Sequence, residues 1–311
     1  MDLDDKVMDS FAWAALGTYD LRALELSKAT ALEAIKSEFE GKILSLNSEE
    51  TLVRRCEFCS VLGTVPEDYE ERLVELGGGR SVVCGIRHLG MNLAKPFVSV
   101  WPNFAVADVE EIRELYRREL AERFEVFKPR WVQISTPTGE ESEAAGSVYV
   151  ATRARTMLRR QKWPGEDDLE LVLPSSGAYF AWYQECYDKF HEEFPEKRDW
   201  VTSNDRGLME DCRNAGMLRL VKIGGETAGL IAAEEDDFLG HEGMYFVELL
   251  LAKRWRGKGL AKALQRRFVA EVCRPEAVVW GAIDRYNDPS LRTSLANGRR
   301  VVRGECFLEV S

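Results

Sequence analysis

The stretch FVELLLAKRWRGKGLAKALQRRF, residues 246–268, joins an apolar run to a helical pattern through a basic, glycine-spaced bend. The apolar run has the length and composition of a central β-strand. Beyond the bend, apolar residues recur at helical spacing from Leu260 to Phe268. Gly257 and Gly259 allow backbone angles that a β-carbon hinders. A helix that begins there presents free N–H groups and a partial positive charge, so the sequence predicts a phosphate site.

Basic residues concentrate around this bend, although the chain as a whole is acidic. Its 311 residues include 42 Lys and Arg against 53 Asp and Glu, which gives a formal net charge of −11. We therefore expect neither nucleic acid nor an anionic membrane as the main partner. Residues 253–274, however, contain eight basic residues and one acidic residue. This local excess favours a small anionic ligand.

Two common phosphate-binding loops do not fit the bend. The lysine and hydroxyl residue of the GxxxxGK[ST] pattern are absent, which weakens a nucleoside triphosphate interpretation. The GxGxxG pattern fails at its third glycine, where the chain has Lys262. The interpretation of the bend as a dinucleotide-binding loop is weakened for that reason.

The segment RGKGLA, residues 256–261, resembles the [QR]-x-x-G-x-[GA] segment of the GNAT superfamily of acyl-CoA-dependent N-acyltransferases. It also lies between a strand pattern and a helix pattern, as in that family. The stretch IDRYNDPSLRTSLANGR, residues 283–299, is similar to the family's next segment. The resemblance covers about residues 165–311. It implies a GNAT fold for this half of the chain, with a mixed central sheet flanked by helices.

The resemblance implies acetyl-CoA, or another acyl-CoA, as co-substrate. In the family, amides of the bend hold the pyrophosphate, and the preceding strand splays from its neighbour and pairs with the pantetheine arm. Residues after the next strand face the same arm. The predicted coenzyme-binding residues are Leu249, Leu250, Leu251, Arg256, Gly257, Lys258, Gly259, Leu260, Ala261, Asn287, Ser290 and Ser294.

Glu248 is the predicted general base. It lies on the apolar strand, where many members of the family carry an acidic residue near the acceptor. A carboxylate beside a desolvated cleft should have a raised pKa and accept a proton from an amine. The alternative is a solvated or salt-bridged carboxylate outside the cleft. Glu234 and Glu235 are weaker candidates, with loop charges as the simpler interpretation.

The predicted proton donor departs from the family. Ser294 occupies a position where the family often has a tyrosine that protonates the departing thiolate. Tyr286 is our substitute candidate, with a packing role as its alternative. Arg299 also replaces the common aromatic residue after Gly298.

The length favours two domains. We predict an N-terminal helical plus α/β domain over residues 1–161, a linker at KWPGEDD, residues 162–168, and the GNAT domain over residues 169–311. Within the first domain, PEDYEERLVEL, residues 66–76, and the stretch 140–160 both have helix-like patterns.

The first predicted domain repeats the order of the second: strand, long helix, strand, polar helix. It is either a degenerate GNAT-like relative or an unrelated α/β piece. WPNFAVADVEE, residues 101–111, stands where a glycine bend would be. We expect this half to shape the acceptor site or to mediate homodimerisation.

Two further signals have simpler interpretations. Cys56 and Cys59 could bind zinc with Cys84 and His88, but their helical setting favours core cysteines, and we expect no metal. The aromatic residues of the stretch 179–190 fall on the first helix of the GNAT half. Their spacing favours core packing over an acceptor pocket.

The sequence thus predicts a cytoplasmic N-acetyltransferase, an acyltransferase of the class that transfers groups other than aminoacyl. Its amino terminus lacks a secretion signal, and no run reaches the ~18 apolar residues of a membrane span. The expected acceptor is a primary amine of a small molecule or a protein. The alternative is a non-catalytic acyl-CoA-binding module with a regulatory or interaction role.

Overall fold

The computed structural model describes residues 4–144, 146–198 and 201–310. It divides into two compact units. The first unit comprises Met1–Tyr149, Asp284–Tyr286 and Val301–Ser311, and the second comprises Val150–Ile283 and Asn287–Arg300. In the described ranges, no helix is both long and apolar enough to span a membrane.

The first unit contains a five-stranded sheet with helices on both faces. Its strands have the order β1-β2-β3-β4-β11, in which β3 and β4 are parallel and the other neighbours are antiparallel. The strands are β1 (Arg72–Gly77), β2 (Arg80–His88), β3 (Pro96–Pro102), β4 (Trp131–Thr136) and β11 (Arg300–Glu309, of which residues 301–309 belong to this unit). The helices are α1 (Asp5–Gly17), α2 (Lys28–Leu46), α3 (Glu49–Cys59), α4 (Val109–Leu115) and α5 (Ala121–Phe124).

Apolar residues on both faces of this sheet explain the two helical layers. Val82 and Val98 pack with Ile112 of α4 in one cluster. On the opposite face, Val83 packs with Phe11 of α1. Successive residues of a strand point to opposite faces, so a strand that is apolar at consecutive positions is buried on both sides.

The second unit also contains a sheet between two helical layers. The order of its strands is β5-β10-β9-β8-β7-β6. The strands are β5 (Ser147–Arg153, of which residues 150–153 belong to this unit), β6 (Glu170–Val172), β7 (Leu218–Ile223), β8 (Glu226–Glu235), β9 (Gly243–Leu251) and β10 (Val278–Asp284). The helices are α6 (Ala154–Leu158), α7 (Tyr179–Glu193), α8 (Arg206–Asn214), α9 (Leu260–Val272) and α10 (Asp288–Ala296).

Neighbouring residues of β8 show how this second core is divided. Ile231 packs with Phe268 of α9 on one face. Leu230 packs with Tyr183 of α7 and Met209 of α8 on the other. The predicted architecture, a mixed central sheet flanked by helices and preceded by a helical segment, is confirmed.

The compact units differ from the predicted domains in two respects. The chain divides after Tyr149, and the last strand, β11, pairs with β4 of the first unit. In addition, the predicted linker 162–168 packs within the second unit. The indole of Trp163 donates a hydrogen bond to Oδ1 of Asn297 over 2.8 Å, and Glu166 forms a buried ion pair with Arg266.

Two helix predictions in the first half were wrong. Residues 66–76 form only one 3₁₀ turn, Pro66–Tyr69, and continue into β1. The described part of residues 140–160, which leaves out Ala145, forms β5 and the short helix α6. In β5 the β-branched residues Val148, Val150 and Thr152 alternate along the strand, a pattern that favours extended backbone over helix.

Candidate active site

Strands β9 and β10 separate partway along their length. They pair in parallel over only three residues each, ending at Tyr245 with Trp280. Both strands continue, to Leu251 and Asp284, without further pairing to each other among the described residues. Beyond Tyr245, the β10-facing edge of β9 therefore offers backbone groups to a ligand rather than to a strand.

The hydrogen-bond pattern of β9 decides which residues face this opening. The N–H of Ala252 donates to the carbonyl of Ala228 over 2.9 Å. Because alternate residues of an antiparallel ladder bond to the same neighbour, Leu250 directs its backbone groups towards β8. Leu249 and Leu251 direct theirs to the opposite edge. Of the three leucines predicted to meet a coenzyme through their backbones, these two face the opening, although the N–H of Leu249 bonds to Glu248 and the carbonyl of Leu251 to Arg256.

The glycine bend leads directly into α9. Gly257 and Gly259 have φ angles of 73° and 77°, a left-handed conformation that disfavours other residues. A β-carbon built on Gly257 would meet no atom within 4 Å, and one on Gly259 would meet only Cε of Lys262 at 4.0 Å. The space above both glycines is therefore open to a ligand.

The start of α9 has free backbone donors. The helix begins at Leu260, immediately after Gly259, and its first turn has no acidic residue. Gly259 supplies no side chain to cap these N–H groups. Residues 257–261 thus combine exposed amides with the positive end of a 13-residue helix. This arrangement fits the pyrophosphate of a coenzyme.

Two basic side chains stand beside the bend without a carboxylate partner. Arg256 donates from Nε to the carbonyl of Leu251 over 2.7 Å, and its guanidinium lies 5.4 Å from the ring centroid of Phe190. The ammonium of Lys258 lies 4.9 Å from the ring centroid of Trp255. Neither forms an ion pair with any described residue, so both charges remain available to an anion.

Four other basic residues of the stretch 253–274 form ion pairs with carboxylates. The ion pairs are Lys253 with Glu193 at 2.9 Å, Arg254 with Glu226 at 2.5 Å, Arg266 with Glu166 at 2.5 Å and Arg274 with Glu242 at 3.4 Å. The positive charge at the bend is therefore smaller than the sequence count indicates. Arg256, Lys258 and Lys262, whose Cε lies beside Gly259, carry the charge that remains at the bend.

Glu248 lies on β9, beyond the last residue that pairs with β10. One oxygen of its carboxylate, Oε2, accepts three hydrogen bonds. Oε2 accepts hydrogen bonds from the hydroxyls of Tyr183 at 2.6 Å and Tyr187 at 2.8 Å, and a longer one from Nδ2 of Asn204 at 3.4 Å. Oε1 accepts the N–H of Leu249 at 2.9 Å. The alternative of a solvated or salt-bridged carboxylate outside the cleft does not describe this half-buried, hydrogen-bonded side chain.

Burial raises the pKa of Glu248 above its ordinary value. The hydrogen bonds from Tyr183, Tyr187, Leu249 and Asn204 favour the charged form and oppose this shift without cancelling it. Burial and the neighbouring carboxylate also raise the pKa values of both tyrosines, which therefore stay protonated donors. The carboxyl group of Glu248 is thus held in a fixed orientation with increased proton affinity.

Sequence reasoning missed the role of the residues that hold Glu248. Tyr183 and Tyr187 were assigned mainly to core packing, and Asn204 was not singled out. The i, i+4 spacing of the two tyrosines places both hydroxyls on one face of α7. Asn204 also donates its backbone N–H to Tyr183 over 2.8 Å. The tyrosine spacing was a usable signal, whereas the position of Asn204 requires the three-dimensional structure.

The predicted residues after β10 have structural roles in α10. Oδ1 of Asn287 accepts the N–H of Ser290 over 3.3 Å and caps the helix. Ser294 is 1% exposed and donates its hydroxyl to the carbonyl of Ser290 over 2.8 Å. A hydroxyl that is already committed to the helix backbone is poorly suited to bind or protonate a ligand. This geometry speaks against Ser294 as a coenzyme contact.

The other candidate catalytic residues differ in their surroundings. Tyr286 belongs to the first unit and is 64% exposed. Burial, with a contribution from Asp236, raises the pKa of Glu234, which lies near the end of β8. Glu235 is exposed at the last position of that strand. Neither of these two glutamates shares the hydrogen bonds that hold Glu248.

The cysteines considered for zinc do not form a ligand set within the described part of the chain. Sγ of Cys59 lies 3.6 Å from Nδ1 of His88, but Cys56 contacts the carbonyl of Thr64 at 4.0 Å. No group of three or more potential ligands with metal-binding geometry occurs among the residues that the structure describes.

The separated strands, the glycine bend and Glu248 lie within one segment of the chain, and this segment matches a known protein family. Residues 178–293 match the model of the acetyltransferase (GNAT) family. This segment of the chain is a GNAT-family acetyltransferase domain, as its sequence motif predicted. No curated protein matches the chain significantly.

Solved structures match this chain at low sequence identity and with TM-scores below 0.5. An acetyltransferase of the GNAT family from Colwellia psychrerythraea is 9% identical, with a TM-score of 0.48 over 85% of this chain and 98% of that protein. A GCN5-related N-acetyltransferase from Sphaerobacter thermophilus is 13% identical, with a TM-score of 0.48 over 99% and 98%. A tandem GNAT protein from the clavulanic acid biosynthesis pathway is 13% identical, with a TM-score of 0.40 over 84% and 96%. The family assignment rests on the sequence match.

Proposed function

We propose that the second unit is an acyl-CoA-dependent N-acyltransferase, with acetyl transfer to a primary amine as its simplest activity. The observation that carries this proposal is the position of Glu248. Its carboxylate, whose pKa is raised, stands at the opening between β9 and β10, a few residues before the anion-binding bend. A base and a phosphate site on one strand–bend–helix segment are what such a transfer requires.

The bend fixes the coenzyme by its phosphates. The amides of residues 257–261 and the charges of Arg256 and Lys258 hold the pyrophosphate. The carbonyl of Leu249 and the N–H of Leu251 pair with the amides of the pantetheine arm, since the other two backbone groups bond to Glu248 and Arg256. Bound acyl-CoA supplies the activated thioester carbon, which this chain cannot provide itself.

Glu248 removes the proton that the acceptor amine must lose. Oε2 is occupied by the two phenols, which leaves Oε1 with a lone pair beyond its bond to Leu249. Oε1 accepts the proton from the attacking amine, directly or through one water molecule. The amine nitrogen then forms the new amide bond as the carbon–sulfur bond breaks, and the thiolate takes up a proton.

The residue that protonates the departing thiolate distinguishes acyl transfer from a second candidate function. The hydroxyl of Ser294 is bonded to the carbonyl of Ser290, and Tyr286, the other predicted donor, belongs to the first unit. If no residue protonates the thiolate, the domain would act as a non-catalytic acyl-CoA-binding module. The committed hydroxyl of Ser294 is the observation that favours this second function.

The acceptor is a primary amine of a small molecule or of a protein. The net charge of −11 favours cationic acceptors. We place the activity in the cytoplasm, where a reducing environment keeps thiols such as its seven cysteines free.

The test is release of the coenzyme thiol from acetyl-CoA in the presence of a broad panel of amines. We expect turnover by the wild type and a loss of at least about 100-fold in kcat/KM in Glu248→Gln, with acetyl-CoA affinity unchanged. Glu170→Gln, at an exposed position of β6, is the matched control and should keep full activity. Binding of acetyl-CoA without turnover of any amine would favour the non-catalytic module. Full activity in Glu248→Gln would refute the assignment of the base.

A further inference from the structure

The first unit contains a cavity of its own, with a volume of about 190 Å³. Helices α1 and α2 form one side of it, and the ends of β3 and β4 form the other. Arg303 of β11 closes part of the wall. All lining residues belong to the first unit, so the cavity does not depend on the transfer site proposed above.

The cavity lies where β3 and β4 separate. These two strands pair in parallel over only three residues each, ending at Ser99 with Gln133. The cavity is lined by residues 100–102 of β3 and by residues 135–137 at and after the end of β4. The first unit therefore repeats the strand separation of the second and leaves an opening in the sheet.

This opening is not built for a phosphate. The segment NFAVAD, residues 103–108, which joins β3 to α4, contains no glycine and no residue with positive φ. Oδ1 of Asp108 accepts the N–H of Glu110 over 3.0 Å at the start of α4, and Glu111 follows. The start of α4 is thus already capped by a carboxylate and has no glycine bend before it, so the pyrophosphate of coenzyme A is not the expected occupant.

Aromatic rings form much of the wall. The rings of Phe11 and Phe39 are stacked with centroids 5.1 Å apart. Trp101 meets Phe39 edge to face at 5.5 Å. Such surfaces favour a ligand with an apolar body, because burial of apolar area is the main source of affinity in small pockets.

The residues that line this cavity include two basic side chains and one acidic side chain. The ammonium of Lys42 lies 5.0 Å from the ring centroid of Trp101. Arg303 donates to the hydroxyl of Tyr19 over 2.6 Å, while its buried Nε has no hydrogen-bond partner within the described residues. Glu38 is the single acidic residue of the lining. The excess of positive charge in the lining favours an anionic group on the ligand.

We propose that this cavity binds a small organic carboxylate with an apolar body about the size of a single aromatic ring. The body packs among Phe11, Phe39 and Trp101. The carboxylate faces the ammonium of Lys42 and the guanidinium of Arg303. This site lies in the first unit, so its test does not depend on the proposed acyl transfer.

The test uses the full chain and three probes of similar size and different charge: phenylacetate, phenylacetamide and phenethylamine. Binding is measured by isothermal titration and by saturation-transfer NMR. We expect phenylacetate to bind most tightly. Lys42→Met should weaken phenylacetate at least about tenfold and leave phenylacetamide unchanged, since only the charged probe loses its partner.

Two further variants separate this site from a change in folding. Ala14→Phe adds a ring at a half-buried lining position and should abolish binding of every probe, with an unchanged circular dichroism spectrum. Lys28→Met removes an exposed lysine of the same helix that does not line the cavity, and it should bind like the wild type. The proposal would be overturned by absence of phenylacetate binding, by equal affinity for acid and amide, or by preference for the amine.

Discussion

The hydroxyl of Tyr183 donates a 2.6 Å hydrogen bond to Oε2 of Glu248. The hydroxyl oxygen of Tyr183 in turn accepts the backbone N–H of Asn204 over 2.8 Å. One phenol therefore connects α7, the segment before α8 and strand β9. Because a hydrogen bond to a carboxylate favours its charged form, Tyr183 sets part of the proton affinity of the proposed base.

Tyr183→Phe should shift the pH dependence of the reaction. Loss of this donor destabilises the charged carboxylate and raises the pKa of Glu248 further. The acidic limb of the kcat/KM profile should therefore move to higher pH. The unfolding free energy should also fall by about 1–3 kcal/mol, because the N–H of Asn204 loses its acceptor.

The matched control is Tyr179→Phe, one turn earlier on the same helix. Tyr179 is buried and makes no hydrogen bond to Glu248. Its removal should leave the pH profile in place. An unchanged profile in Tyr183→Phe would show that the phenol does not tune the base.

Glu248→Gln should become more stable relative to the wild type as pH rises. The folded pKa of Glu248 is raised, so the folded state holds the proton more tightly than the unfolded chain. Stability from this group is present below the usual glutamate pKa of about 4.3 and is lost as pH rises through the folded value. Glutamine does not titrate, so the Glu248→Gln protein does not lose this stability as pH rises. Thermal midpoints of both proteins between acidic and alkaline pH measure the difference, and a difference that does not vary with pH would contradict the raised pKa.

The sequence allowed the bend, the start of α9 and the position of Glu248 to be predicted, because these features are local. Gly257 and Gly259 indicate a backbone with positive φ angles, and the apolar spacing after them indicates a helix. Residues 140–160 were misassigned because alanine and arginine masked a short alternation of β-branched residues. No local pattern indicates that the last strand pairs with β4, because this pairing joins residues more than 160 positions apart, as between Thr136 and Gly304.

The predicted linker proved to be structural for a similar reason. Nothing in KWPGEDD indicates a distant partner, yet Glu166 is 2% exposed and bonds to Arg266 of α9 over 2.5 Å. Its other oxygen accepts the N–H of Trp163 over 3.0 Å. Only the folded chain brings these groups together.

Glu166→Gln should therefore destabilise the second unit. Arg266 is 8% exposed and would be left as a buried cation without a counter-charge. Removal of one partner of a buried pair costs about 3–5 kcal/mol of unfolding free energy. Denaturant unfolding, followed by tryptophan fluorescence, measures the change.

The neighbouring residue provides a control for that variant. Asp167 pairs with Lys162 at 2.5 Å, but both side chains are more than half exposed. Water replaces the lost partner there, so Asp167→Asn should have little measurable effect. Equal effects of the two substitutions would show that the segment 162–168 is not anchored by Glu166.

The binding of acetyl-CoA to Gly259→Glu, measured by isothermal titration, tests the central claim most directly. This change puts a carboxylate and a β-carbon into the proposed pyrophosphate site. Gly216→Glu is the matched control: Gly216 has a similar φ of 72° and open space around it, but it follows α8 rather than opening a helix. We predict that Gly259→Glu abolishes binding while Gly216→Glu binds as the wild type does. Wild-type affinity in a folded Gly259→Glu protein would contradict the assignment of the bend to coenzyme A.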